Sequence, residues 1–169
     1  MPAAPLIVTL DLDEQTSAFF EERRRRYFPP ERYVVGAHVT LFHALPGERA
    51  DDVGGTLAAA ARRPAFPVAV TGIRSLGRGA AYDLASVEAV RLRDGIAKEF
   101  AAELTRQDSQ RLKPHVTVAN KLGPERAREV VEELSLKFSP FEAHAVGLSL
   151  FRYRGGPWEP VATYSFDEL

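Results

Sequence analysis

The tetrad His-x-Thr-apolar occurs twice in this chain, as His38-Val39-Thr40-Leu41 and as His115-Val116-Thr117-Val118. Each copy lies in a run of strand composition, ends in a Pro/Gly signal and leads into a segment of helical pattern. No other feature constrains the fold as much. It predicts two similar lobes, each presenting one His-x-Thr strand, although the sequence between the copies shows no convincing likeness.

The remaining pattern alternates in the same way. Strands are expected at Leu6–Leu12, Ala37–Leu45, Phe66–Leu76, Ala80–Ala85, His115–Leu122, Phe141–Tyr153 and Val161–Phe166, from β-branched content and turn signals. Helices are expected at Asp13–Phe28, Glu48–Arg63, Val87–Leu104 and Pro124–Leu136, the last opened by a proline suited to a first helical turn. Gly77-Arg78-Gly79 reads as a hairpin turn and lacks the further glycines and lysine of a phosphate loop. No linker or low-complexity tract divides the 169 residues, so one α+β domain over residues 1–169 is expected.

Composition narrows the class. There is no cysteine, which excludes disulfides and cysteine-based zinc or iron–sulfur sites. The opening Met-Pro-Ala-Ala-Pro lacks the features of a signal peptide, and no apolar run is long enough to span a bilayer. A cytoplasmic protein with no membrane contact is expected. Net charge is -1, so no global field recruits long nucleic acid. A local cationic pocket gripping one terminal nucleotide remains compatible with that balance.

Side chains alternate across a strand. His38, Thr40 and Phe42 are therefore expected on one face, with Val39, Leu41 and His43 on the other. In the second copy His115, Thr117 and Lys121 share a face. A lone strand histidine is more often structural than catalytic. Two of them, each followed by threonine at the same offset, fit a reaction at phosphorus. Hydrolysis of a phosphodiester needs one group to activate water and one to protonate the departing oxygen, and histidine can do either near neutral pH. A threonine hydroxyl two residues on can donate to a non-bridging phosphate oxygen. Such a site needs no metal, and no cofactor is expected.

These residues resemble the 2H phosphoesterase superfamily, and within it the bacterial 2'-5' RNA ligase / RNA 2',3'-cyclic phosphodiesterase family. The resemblance covers nearly the whole chain. It rests on His38-Val39-Thr40-Leu41 with Phe42-His43 and Pro46-Gly47, on Pro114-His115-Val116-Thr117-Val118 with Asn120-Lys121, and on the closing Arg152-Tyr153-Arg154-Gly155-Gly156-Pro157-Trp158. It implies a bilobal, pseudo-symmetric fold with two antiparallel sheets facing a central cleft and helices outside. It also implies opening of 2',3'-cyclic phosphates to 2'-phosphates, with reversible 2'-5' RNA joining in some relatives. By position, His38 would be the acid and His115 the base, with Thr40 and Thr117 contacting phosphate.

Around that centre, Arg152, Tyr153 and Trp158 are candidates for holding phosphate or stacking on a base, as is Phe42. Lys121 is a candidate at the cleft rim, against the alternative of a solvated strand-end lysine. His43 is expected to face away from His38, which argues against a metal shared by the two. His144 is read as structural. Arg23–Arg26 could suggest an RNA patch, but it wraps round a helix and is read as a solvated face with one or two incidental contacts. The expected partner is an RNA 3'-end or a cyclic nucleotide, with no obligate protein partner and a monomer as the default. Two other readings stay open: the same chemistry on a small non-RNA cyclic phosphate, and a non-catalytic RNA-end binding module.

Overall fold

The computed structural model describes residues 3–28 and 35–167. In chain order these form β1 (Leu6–Leu12), α1 (Glu14–Tyr27), β2 (Val39–Leu45), α2 (Ala50–Ala60), β3 (Phe66–Ser75), β4 (Ala80–Ala85), α3 (Val87–Glu99), β5 (His115–Ala119), α4 (Pro124–Lys137), β6 (Phe141–Arg152) and β7 (Glu159–Ser165). The expected order of strands and helices is reproduced in full, with shifts at the ends.

Local chemistry accounts for several boundaries. Asp13 caps α1 by accepting the Thr16 N–H at 2.9 Å, and Ser86 caps α3 by accepting that of Ala89 at 3.1 Å. Pro124 stands in the first turn of α4. The β3–β4 turn needs Gly77 at φ +81°, and a side chain at Gly79 would collide with the Ala119 carbonyl at 2.0 Å. That close approach lets the hairpin tip pack on the end of β5. β7 includes Pro160, which is tolerated because β7 pairs with β6 alone. Among the described residues no helix is long and apolar enough to cross a membrane.

All ladders are antiparallel, in the order β2-β1-β6-β3-β4-β5, with β7 also on β6. The two sheets implied by the resemblance are thus joined into one. β6, twelve residues long, makes the join. Its Ala145–Arg152 stretch pairs with β1; on its other side Phe141–Ala145 pairs with β3 and Gly147–Arg152 with β7. Helices cover the sheet, α1 packing on β5 and α4 on β3. Phe20, Phe42, Phe66 and Phe100 are the largest of the fully buried side chains and pack among the aliphatic residues of the core.

One consequence of this order places the site. β2 and β5 are the two end strands of the sheet, yet they touch, with no ladder between them. Curling of the sheet therefore brings the two His-x-Thr copies, 77 positions apart, face to face.

Candidate active site

His38, Thr40, His115 and Thr117 all line a single cavity of about 590 Å³. Cross-strand register explains their direction. Thr40 is opposite Thr9 on β1, while His115 and Thr117 are opposite Asp83 and Ala81 on β4.

The two histidines are held alike. His38 Nδ1–H donates to the carbonyl of Gly36 at 2.7 Å, and His115 Nδ1–H donates to the carbonyl of Lys113 at 2.9 Å. In each case the acceptor is two residues upstream. A carbonyl can only accept, so each Nδ1 carries the hydrogen and each Nε2 is left for proton transfer.

Their surroundings differ. Burial pushes the His38 imidazole down to about 4, and the positive charges of Arg24, His115 and His43 act in the same direction; the Gly36 carbonyl opposes them. The Trp158 ring packs against two others, its centre 4.7 Å from that of His38 and 5.5 Å from that of Phe151.

Helix α1 braces the cavity from behind. The Glu21 carboxylate accepts the Ala37 N–H at 2.8 Å. Arg24, 7% exposed, donates from Nε to the Val35 carbonyl at 2.9 Å and from Nη1 to the Thr117 carbonyl at 2.7 Å. One guanidinium thus bonds the approach to His38 and the strand of His115 together. The expectation that Arg23–Arg26 is a solvated face fails at this residue. Its signal was present: Thr16, Phe20, Arg24 and Tyr27 fall on one stripe of α1.

His43 is the largest departure from the expected alternation. Phe42 pairs with Val8 but Thr40 with Thr9, so Leu41 is an extra residue in β2. That bulge turns Phe42 into the core, fully buried beneath the Arg93 guanidinium at 4.5 Å, where it cannot meet a substrate. It also turns His43 towards the cavity. The His43 ring Nδ1 lies 3.2 Å from Asp108, whose buried carboxylate also accepts the backbone N–H groups of His43 and Ala44, each at 2.8 Å. Burial alone would raise the Asp108 carboxyl; these donors outweigh it and hold it below its usual range. Among the described residues no group of three His, Asp or Glu side chains is arranged to cage a metal ion.

A family model described as the 2'-5' RNA ligase superfamily matches residues 12–157. The chain belongs to this superfamily. Members are 2H phosphoesterases, and the α+β fold described above is theirs. A protein of Thermus thermophilus, TT0787, superposes with a TM-score of 0.66 at 19% identity, covering 96% of this chain and 97% of its own. E. coli LigT solved with 3'-AMP gives 0.63 at 16% identity, covering 97% and 98%. The same protein solved with NADP+ gives 0.62 at 19%, covering 98% and 99%. No curated protein sequence matches.

Measured against this 2H fold, the remaining sequence candidates divide. Trp158 stands at the cavity. Lys121 does not: β5 ends at Ala119, and Lys121 adopts a left-handed turn at φ 58°, exposed outside the cavity. Arg152 is half-buried and Tyr153 exposed, and neither lines the cavity. His144 lies on the surface beside Glu142 and does not line the cavity.

Proposed function

We propose that this member of the superfamily opens 2',3'-cyclic phosphates of RNA ends or nucleotides to 2'-phosphates by two-histidine acid–base catalysis. The observation that carries the reading is the matched pair of imidazoles, each fixed through Nδ1, each beside a threonine, on one cavity. LigT, of the same fold, was solved with a nucleotide phosphate.

In this reading the phosphorus sits between the two Nε2 atoms, and Thr40 and Thr117 donate to its non-bridging oxygens. Water attacks phosphorus and loses a proton to one imidazole. The P–O3' bond breaks, and the other imidazole, as imidazolium, protonates O3'. The resemblance assigns the acid role to His38. Its burial favours the reverse, because an imidazole kept neutral at pH 7 is ready to accept the proton of water. We therefore place His38 as base and His115 as acid; with a 5'-hydroxyl attacking in place of water, the same breaking of the P–O3' bond would join the cyclic-phosphate end through a 2'-5' bond, and the roles exchange when that joining is reversed. Trp158, beside His38, offers a ring on which the base can stack.

The test is incubation with nucleoside 2',3'-cyclic phosphates and with RNA ending in one, in EDTA, followed by identification of the product. Turnover that persists under chelation and yields only the 2'-phosphate is expected. A 3'-phosphate product, or no turnover on any such substrate, would refute the reading.

A further inference from the structure

A cyclic phosphodiester carries one negative charge, and the cavity proposed to take it is charged well beyond that need. Besides its three histidines it is lined by Arg74, Arg93, Arg111 and Lys113, against one carboxylate, Asp108. Two of the four cations are committed elsewhere. Arg74 pairs with Asp83 at 2.6 Å, and Arg93 is buried, donating to the carbonyls of Leu41 and Asp108. Asp108 is committed too, its carboxylate taken up by His43 and Ala44.

Arg111 and Lys113 are different. Both are exposed, and neither has an ion-pair partner among the described residues. With His115 and Thr117 they occupy alternate positions of the chain entering β5, and all four line the cavity. Two residues of extended chain advance about 6.6 Å. At that rise Lys113 and Arg111 stand one and two such steps of backbone out from His115, each comparable to the distance between neighbouring phosphates of a nucleotide. The turn that precedes them is anchored, because the carboxylate and carbonyl of Asp108 are tied to β2, directly and through Arg93.

We infer that Arg111 and Lys113 form a second anion subsite, and that the substrate carries a further phosphate next to the one that reacts. The inference rests on the phosphodiesterase reading and narrows its substrate. Two neighbouring cations suit the multiple acceptor oxygens of a phosphate.

The test compares adenosine 2',3'-cyclic phosphate with the same compound bearing a 5'-phosphate, so that one phosphate is the only difference. The second phosphate is expected to raise kcat/KM about tenfold or more. In Arg111→Gln/Lys113→Gln, where both side chains are exposed and the Lys113 carbonyl is kept, that ratio is expected to fall to about twofold. A ratio near one in the unsubstituted protein, or one that survives the double substitution, overturns the inference. If neither compound is hydrolysed, the proposed activity fails by itself, and calorimetry decides the subsite with adenosine 2'-phosphate against adenosine 2',5'-bisphosphate. Tighter binding of the bisphosphate, lost in the double variant, supports it; equal affinities overturn it.

Discussion

The indole of Trp158 and the imidazole of His38 lie with their centres 4.7 Å apart and their planes at 55°. Trp158 thus shields a candidate catalytic group while edging the cavity. Trp158→Ala is expected to lower kcat/KM for a nucleotide substrate about tenfold or more, chiefly through KM, as loss of a stacked base would. Steady-state kinetics check it, and an unchanged KM would remove Trp158 from the base site.

Loss of either imidazole should be far more costly. His38→Ala and His115→Ala are each expected to reduce turnover about 10²–10⁴-fold with the fold intact, the usual scale of a proton-transfer contribution. Wild-type rate in either variant would show that the histidine takes no part in the chemistry.

A base role for His38 would carry its depressed pKa into the acid limb of the rate. If neutral His38 accepts the proton, kcat/KM of the free enzyme should hold down to about pH 5 and fall with a midpoint near 4 rather than 6.5. A pH profile on a cyclic nucleotide measures this directly. A midpoint near 6.5 would show that the group accepting the proton is not an imidazole depressed by burial as His38 is.

Stability should titrate in the same window. His38 binds its proton near 4 when folded and near 6.5 when unfolded, so between these values the unfolded chain holds more protons. Its contribution is therefore present at neutral pH and is lost as pH falls from about 6.5 to about 4. Urea unfolding of the wild type and of His38→Gln at pH 4.5 and 7 should show the smaller pH dependence in the variant.

Arg24→Met removes a buried donor from the carbonyls of Val35 and Thr117 at once. It is expected to cost about 2–5 kcal/mol of stability and to lower kcat more than it alters KM, since it positions the strands without touching substrate. Arg24→Lys should restore part of both. Chemical denaturation and kinetics below the melting range separate the two effects.

Much of this architecture was legible because it depends on short-range pattern. The two His-x-Thr strands, the Pro124 helix start and the Gly77–Gly79 turn are each set by residues within a few positions. What escaped depends on partners distant in sequence. The bulge at Leu41 reflects the pairing of β2 with β1 and exchanged the faces of Phe42 and His43. Asp108, a lone acid in a polar stretch, gains meaning only from His43, 65 positions away. Lys121 failed for the reverse reason: alternation was carried past Ala119, where the backbone had already turned.

The doubly shared strand β6 bears on how the molecule is made. β1 and β3 both complete their ladders on it, so neither half of the sheet has its central member until residues 141–152 have been synthesised. Emerging from the ribosome, the chain must carry two unfinished edges for most of its length and then close both with one late segment. Folding intermediates that expose those edges are the species a chaperone would meet.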